Sequence, residues 1–519
     1  MKKLALLAVC AVLTGITALF YAFTFPGNYS KNSATIRVEG GMITGVKSKS
    51  SDVIAYKGVP FAAPPVGELR WKAPQPVIPW EGVKQCNAFS ASPMQRKPVP
   101  FGVYTPEFLI AEKPISEDCL YLNVWTKAHQ GQKRPVFVWI YGGGFSSGGT
   151  SVPIYDGEAM AKKGIIFVSV NYRVGIFGFL AHPELTKESP NHASGNYGLL
   201  DQVAALKWIK KNIAAFGGDP ENVTIDGQSA GSMSVNCLVA SPVAKGLFNR
   251  AIAESGSFLI DNPLVGANDL SKAEQQGITI AEKVHAASIA DLRKMPAEEV
   301  MKLPGRFTPI VDGYVLPESV AQIFAEGKQN NVPVITGWNA DESFVAGFKK
   351  KDAYIQQIKD QYGAKADEYL KYFPASTDEE AAQSQVRMSR DQIFAASGFK
   401  WSVVQSEQGK APIYVYNFNR KLPATPDFVR YGAFHTGEVA YVMDDLKFLN
   451  RPWEPADQPL ATLMSAYWVN FITSGNPNGK GLPEWPMFNT QTWQAMVFDV
   501  NSSKQELPQK DELKFMAGS

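Results

Sequence analysis

Residues 223–232 have the sequence VTIDGQSAGS, in which Ser229 lies between Gly227 and Gly231. The β-branched start predicts a buried strand, and the small and apolar run after it, 233–239, predicts a helix. A strand, a turn and a helix around G-x-S-x-G form so tight a bend that only small residues fit two positions before and after the serine. The serine hydroxyl is then exposed, and the first N–H groups of the helix point to the same place. The motif predicts Ser229 as a nucleophile.

A glycine-rich loop lies upstream of this motif. The predicted strand at 136–140 is followed by Tyr141-Gly142-Gly143-Gly144-Phe145. Ester hydrolysis through a serine needs N–H groups directed at the oxygen that becomes negative in the tetrahedral intermediate. Because glycines let the backbone approach a substrate with its N–H groups free, this loop is predicted to form an oxyanion hole.

The base is predicted among the 5 histidines of the chain. When a serine lies on such a turn, the triad follows the chain order Ser, then Asp or Glu, then His, which leaves His285 and His435. His285 lies in a helical stretch rich in Ala, Lys and Glu, whereas His435 lies on a glycine-bounded loop after the last clear strand. His435 is therefore the predicted base.

The acid of the triad is predicted at the end of another strand. The run at 332–336 leads into Gly337-Trp338-Asn339-Ala340-Asp341-Glu342-Ser343. A carboxylate at the carboxyl end of a sheet strand can reach the imidazole and hold its tautomer. The pattern alone does not choose between Asp341 and Glu342.

The rest of the chain alternates apolar, β-branched runs with helical patterns. The clearest helical pattern has Leu199, Val203, Leu206 and Ile209 on one face. This alternation predicts an α/β fold with a large, mostly parallel central sheet. A hairpin at 35–44 is expected to add antiparallel strands at its edge. The polar helical stretches 262–307 and 348–400 are interpreted as excursions from a single domain at 32–510.

Composition excludes several classes of protein. The 519 residues include 51 Lys plus Arg and 49 Asp plus Glu, so the basic excess typical of nucleic-acid binders is missing. The slightly negative mean hydropathy excludes a protein with many membrane spans. Because no Cys and His cluster has zinc-binding spacing, we expect no metal, and no motif indicates a cofactor.

The first residues predict export. Lys2 and Lys3 precede an apolar run from Leu4 to about Phe25, and positive charges before such a run direct the downstream chain across the membrane. The run is close to the ~20 residues that span a bilayer. Residues 1–27 are predicted to be a cleaved signal peptide or a membrane anchor, and both alternatives stay open. The protein is expected to be periplasmic, secreted or anchored on the non-cytoplasmic side. An oxidising compartment permits one disulfide among the three cysteines outside this segment.

Further motifs occur in a fixed order over nearly the whole chain. They are YKGVPFA at 56–62, PPVG at 64–67, SEDCLYLNV at 116–124, NYRVG at 171–175, GFL at 178–180, GNYGLLDQ at 195–202, ESG at 254–256, YW at 467–468 and NF at 470–471. Together with the G-x-S-x-G motif, they resemble the type-B carboxylesterases, which share the α/β-hydrolase fold with cholinesterases.

The resemblance implies a serine carboxylic-ester hydrolase that works through an acyl-enzyme. The family uses the second carboxylate of its Asp-Glu pair, so the implied triad is Ser229, Glu342 and His435. The implied oxyanion donors are the N–H groups of Gly143, Gly144 and Ala230. Other implied features are supports of the triad at Ser255 and Glu438, an Arg70–Glu117 ion pair, a Cys86–Cys119 disulfide and a buried Cys237 thiol.

One departure from the family bears on the substrate. Many members have Glu before the nucleophile, where this chain has Gln228. We therefore expect a small-molecule partner that is a neutral carboxylic ester rather than a cationic one. The alternatives are a non-catalytic adhesion or binding protein of the same fold, a lipase-like activity or a peptidase. The acyl chain, the natural ester and the oligomeric state cannot be predicted from these residues.

Overall fold

The largest element of the computed structural model is an eleven-stranded sheet, within residues 34–263, 265–266, 269–345 and 347–518, which the structure describes. The predicted export segment lies outside these residues. The strands are β1 Thr35–Val38, β2 Gly41–Thr44, β3 Val46–Lys47, β4 Ile54–Pro60, β5 Val83–Gln85, β6 Ser92–Pro93, β7 Ile115–Ser116, β8 Tyr121–Thr126, β9 Arg134–Ile140, β10 Ile166–Val170, β11 Gly218–Gln228, β12 Arg250–Glu254, β13 Val334–Asn339, β14 Ile413–Phe418, β15 Gln494–Phe498 and β16 Ser503–Glu506.

The strand order in the large sheet is β16-β15-β14-β13-β12-β11-β9-β10-β8-β4-β3. The strands from β15 to β10 in this order run parallel to their neighbours. Antiparallel strands form both edges, with β16 on one side and β8, β4 and β3 on the other. The predicted α/β architecture with a mostly parallel sheet is confirmed.

The predicted hairpin at 35–44 forms, but it does not lie at the edge of this sheet. Strands β1 and β2 pair antiparallel, and β2 then pairs with β5 in a separate three-stranded sheet. The local sequence therefore predicts the hairpin correctly. It does not identify β5, the strand distant in sequence with which the hairpin pairs.

Helices connect the strands and cover the sheet. They are α1 Glu158–Lys162, α2 Gly175–Phe179, α3 Pro183–Glu188, α4 Tyr197–Asn212, α5 Ala230–Ala240, α6 Leu270–Lys283, α7 Ile289–Lys294, α8 Ala297–Val300, α9 Val320–Ala325, α10 Lys351–Tyr362, α11 Ala366–Tyr372, α12 Asp378–Arg390, α13 Ala396–Gln408, α14 Val439–Val442, α15 Asp457–Ser474 and α16 Lys510–Met516. The two predicted helical excursions correspond to α6–α8 and α10–α13. Across the described ranges, no helix combines the length and apolar character needed to cross a bilayer.

Both faces of the sheet are buried at its centre, which explains the unbroken apolar runs of the sequence. In β10 all five residues are buried, and in β13 all six are buried. Because helices cover both faces, a parallel strand has no solvent-exposed side, and its residues are mostly apolar. The carboxyl ends of β11 and β13 are on the same edge of the sheet, where ligands bind in folds of this kind.

Candidate active site

Ser229 lies on the tight turn between β11 and α5. Its backbone has φ 60° and ψ −123°, a conformation that L-residues rarely adopt and that costs on the order of 1–3 kcal/mol. A Cβ on Gly231 would lie 2.0 Å from the Ile140 carbonyl oxygen, and one on Gly227 would lie 2.5 Å from the Gly231 carbonyl carbon. Glycine is therefore required on both sides of the serine, which is the physical basis of the motif.

The glycine loop after β9 lies against this turn. Gly143 has φ 117°, and a Cβ there would lie 2.2 Å from the Ser147 carbonyl oxygen. The Gly143 carbonyl accepts hydrogen bonds from the N–H groups of Ser146 and Ser147, each at 3.1 Å. The N–H groups of Gly143, Gly144 and Ala230 have no acceptor among the described residues. These donors are free to bind a ligand oxygen beside Ser229.

The structure brings His435 to Glu342. The His435 Nδ1 atom lies 2.9 Å from Glu342 Oε1, and the Glu342 side chain is fully buried. Asp341 points elsewhere, because its Oδ2 accepts a hydrogen bond of 2.8 Å from the Ala433 N–H. The adjacent carboxylates thus have separate tasks: Glu342 contacts the imidazole, and Asp341 holds the loop that carries it. His285, in contrast, is exposed at the end of α6.

Side chains that the sequence analysis missed fix the His435 ring. The ring stacks on Phe394 with centroids 4.1 Å apart and planes 19° apart. The Gln228 side-chain nitrogen lies 3.3 Å from both ring nitrogens, which places it over the ring face. The Tyr104 hydroxyl donates to the His435 carbonyl at 2.9 Å. Phe394 belongs to a turn of π-helix, Asp391–Ala395, a feature often found at functional sites but without a sequence signature.

Ser229 and His435 line one cavity, but no hydrogen bond joins the Ser229 hydroxyl to His435. In ligand-free enzymes, such bonds are often long and tighten only when a substrate binds. The cavity has a volume of about 750 Å³, which suits a small organic ligand. Aromatic side chains form much of its wall, namely Phe101, Tyr104, Phe108, Tyr155, Phe177, Phe307 and Phe344.

Behind the imidazole lies a group of buried carboxyl groups. Burial, and next the charge of Glu342, raise the pKa of Glu438 to about 8, and Asn339 donates to its Oε2 atom. Burial also raises the pKa values of Asp226 and Glu254 well above the usual range. The indole N–H of Trp468 lies 2.9 Å from Glu254 Oε1 and 3.2 Å from Asp226 Oδ2. Only Glu438 of these carboxyl groups was predicted near the site.

The other predicted support, Ser255, follows β12. Its backbone has φ 58°, and its hydroxyl is buried without a hydrogen-bond partner among the described residues. The Arg70–Glu117 ion pair implied by the resemblance is present, with two bonds of 2.7 and 2.6 Å. In the described residues, no group of three or more His, Cys, Asp or Glu side chains could hold a metal ion.

The structure does not form the expected Cys86–Cys119 disulfide. Cys86, Cys119 and Cys237 are all buried free thiols. Cys119 instead borders a small gap together with Met94 and Arg173, while Cys86 follows β5 and its N–H donates to the Thr44 carbonyl. Met94, and not Cys86, is therefore among the residues that border this gap with Cys119. The pairing was implied by the family resemblance, which does not show what surrounds each thiol in this chain.

A serine on a tight turn at the end of a parallel strand, with an imidazole and a carboxylate on neighbouring loops, is the arrangement typical of an α/β-hydrolase. The chain matches the Carboxylesterase family over residues 32–516 and belongs to it. The family predicted from the sequence motifs is thus confirmed, and the protein is a carboxylic-ester hydrolase.

Named relatives agree with this assignment. The chain is 36% identical over 471 residues to fumonisin B1 esterase of Sphingopyxis macrogoltabida, covering 87% of this chain and 84% of that protein. It is 35% identical over 479 residues to para-nitrobenzyl esterase of Bacillus subtilis, covering 88% and 93%. It is 32% identical over 525 residues to liver carboxylesterase 1 of Oryctolagus cuniculus, covering 91% and 90%.

Proposed function

We propose that this esterase acts through a Ser229–His435–Glu342 triad and an acyl-enzyme. The observation that carries the proposal is the 2.9 Å contact between His435 Nδ1 and buried Glu342, next to a serine on a strained turn. The carboxylate keeps a proton on Nδ1, so that Nε2 can act as the base.

The reaction proceeds in two halves. His435 accepts the Ser229 proton as the Ser229 oxygen attacks the ester carbonyl, and the N–H groups of Gly143, Gly144 and Ala230 bind the resulting oxyanion. Collapse of the intermediate expels the alcohol, which takes the proton from His435 and leaves an acyl-enzyme. Water then attacks the acyl group, again giving its proton to His435, and the carboxylic acid leaves as Ser229 regains its proton.

The substrate is proposed to have no cationic group. Cation recognition uses an acidic side chain or an aromatic face, for which Trp is the strongest, and no Trp, Asp or Glu is found among the described residues that line the cavity. Gln228, next to the nucleophile, is uncharged. The aromatic wall can bind an acyl or alcohol group by apolar burial.

Substitution of the proposed base tests this mechanism. We expect His435→Ala to reduce kcat for p-nitrophenyl butyrate by a factor on the order of 10³ or more, because triad members act as a unit. The control is His285→Asn, which replaces an exposed histidine with asparagine, a residue that tolerates the φ of 54° at this position. Near-normal kcat in folded His435→Ala, or a comparable loss in His285→Asn, would contradict the assignment of the base.

We also propose that residues 1–27 direct export. The support is the charge and hydropathy pattern of that segment. The expected result is esterase activity outside the cytoplasm for the full chain and inside it for a chain without residues 1–27. Equal cytoplasmic activity for both would refute export.

A further inference from the structure

The charged side chains that line the mouth of the cavity are positive. Arg96 and Lys97 line it and are exposed. Apart from His435, they are the only titratable cationic side chains among the described lining residues, and no carboxylate is among them. A cleft with charge of one sign attracts ligands of the opposite sign.

The two cations differ in their partners. Lys97 Nζ forms an ion pair of 2.8 Å with Glu112, so much of its charge is already compensated. Arg96 forms no ion pair with any described residue. Its guanidinium is available to a ligand, and a guanidinium can bind a carboxylate through two parallel hydrogen bonds.

The backbone at Arg96 is fixed by the preceding residue. The Gln95 side chain is 6% exposed. Its Oε1 accepts from the Gly148 N–H at 2.9 Å, and its Nε2 donates to the Gly148 carbonyl at 2.6 Å and the Pro93 carbonyl at 3.0 Å. Gly148 ends the same loop that carries Gly143 and Gly144. Arg96 therefore projects from a segment that is fastened to the proposed oxyanion loop.

A second guanidinium lies on the neighbouring loop. Arg430 is exposed, forms no ion pair with a described residue, and donates to the Tyr431 hydroxyl at 2.9 Å. That hydroxyl lies 3.5 Å from the position a Cβ would take on Gly102, next to Phe101 in the cavity wall. Arg430 thus adds positive charge near this wall, although it does not itself line the cavity as Arg96 does.

We propose that the preferred substrates are not the neutral esters expected from the sequence but esters that carry a carboxylate away from the ester bond, such as monoesters of dicarboxylic acids, with Arg96 as the residue that selects them. This substrate preference rests on the proposed function, because the ester group must lie at Ser229 while the carboxylate lies at the mouth of the cavity. The part of the ligand between them contacts the aromatic wall and stays uncharged.

A matched pair of substrates tests the proposal. p-Nitrophenyl hydrogen adipate and p-nitrophenyl methyl adipate have the same leaving group and acyl chain, and differ in one negative charge. We expect the wild type to show a higher kcat/KM for the anionic ester, measured after subtraction of spontaneous hydrolysis. Arg96→Gln should lower the ratio of the two kcat/KM values by roughly three- to ten-fold, mainly through KM, as for a charge contact that is partly exposed. High salt should lower the wild-type ratio in the same direction.

The control variant is Lys49→Gln. Lys49 follows β3, is exposed and forms no ion pair with a described residue. This variant should keep the wild-type ratio. A ratio near one in the wild type, or a preference that persists in Arg96→Gln, would overturn the inference and leave ester hydrolysis intact. If neither ester is hydrolysed by folded wild-type protein, the proposed function itself fails.

Discussion

Asp341 and Glu342 are adjacent in the chain, but they contact different groups. Glu342 Oε1 lies 2.9 Å from His435 Nδ1, and Asp341 Oδ2 accepts from the Ala433 N–H. The residue pattern could predict a carboxylate at this position but not which one, because the direction of each side chain depends on the turn after β13. Resemblance to a family supplied the choice of Glu342.

This division predicts unequal effects of two conservative substitutions. Glu342→Gln should reduce kcat for p-nitrophenyl butyrate by about 10³ to 10⁴, because an amide does not hold the reactive tautomer or stabilise the imidazolium. Asp341→Asn should reduce it far less, since an amide oxygen can still accept from the Ala433 N–H. Steady-state kinetics of the two variants, side by side, decide the matter. An equal loss, or a greater one for Asp341→Asn, would reverse the roles.

Phe394 shows the limit of prediction for single residues. It stacks on His435 from a π-helical turn between α12 and α13. Sequence periodicity could predict the helices on both sides, but an inserted turn of this kind depends on packing between distant segments and leaves no repeat to detect.

Among the structural elements, the two glycine turns could be predicted best. The loop after β9 and the turn after β11 have strong local signals, since glycine is required by positive φ angles in the loop and by close backbone contacts in the turn. The hairpin β1–β2 could also be predicted, but not its position in the small sheet with β5. Local signals determine turns, whereas the pairing of distant strands depends on the whole fold.

Substitution of Gly143 tests the role of the loop after β9. In Gly143→Ala, the added Cβ would lie 2.2 Å from the Ser147 carbonyl oxygen, so the loop must shift and misplace its N–H groups. We expect kcat to fall by about 10² to 10³, the usual effect of losing an oxyanion donor, with the fold retained by circular dichroism. Gly347→Ala is the control, since a Cβ there meets nothing within 4 Å. Unchanged kcat in Gly143→Ala would contradict the role of this loop.

The segment around Cys86 gives a second prediction for an element. Cys86 and Cys119 are free, buried thiols in different surroundings. A disulfide that closed their loop would supply on the order of 3 to 4 kcal/mol. We therefore expect reductant to leave Tm unchanged and alkylation of the unfolded, unreduced protein to modify both residues. A clear drop in Tm together with an unmodified pair would contradict the structure.

For the whole molecule, the sequence predicted the class of fold, the parallel sheet and the general position of the site. Of the buried carboxyl groups Asp226, Glu254 and Glu438, only Glu438 was predicted to lie near the site. Their burial results from contacts between β11, β12 and the loops after β14, so no single stretch of sequence reveals it. Such groups matter because a carboxyl group that is protonated in the folded state makes stability depend on pH.

Glu438 is expected to make the folded protein less stable as pH rises. Its folded pKa of about 8 exceeds the ordinary value of 4.5. Between these values the folded state binds more protons than the unfolded state, so this group's contribution to stability falls as pH rises. Glu438→Gln has no such proton to lose, and its amide oxygen can still accept from Asn339. We expect the drop in Tm from pH 5 to pH 8, measured by calorimetry, to be smaller by about a few degrees in the variant. An unchanged or larger drop would show that Glu438 is ionised in the fold.

The role of Ser229 can be tested by locating the covalent adduct that a fluorophosphonate leaves on the protein. We expect one adduct, mapped by peptide mass spectrometry to Ser229, with loss of ester hydrolysis in proportion to labelling and no adduct in Ser229→Ala. An adduct on another residue, or labelling that persists in folded Ser229→Ala, would contradict the claim that Ser229 is the nucleophile.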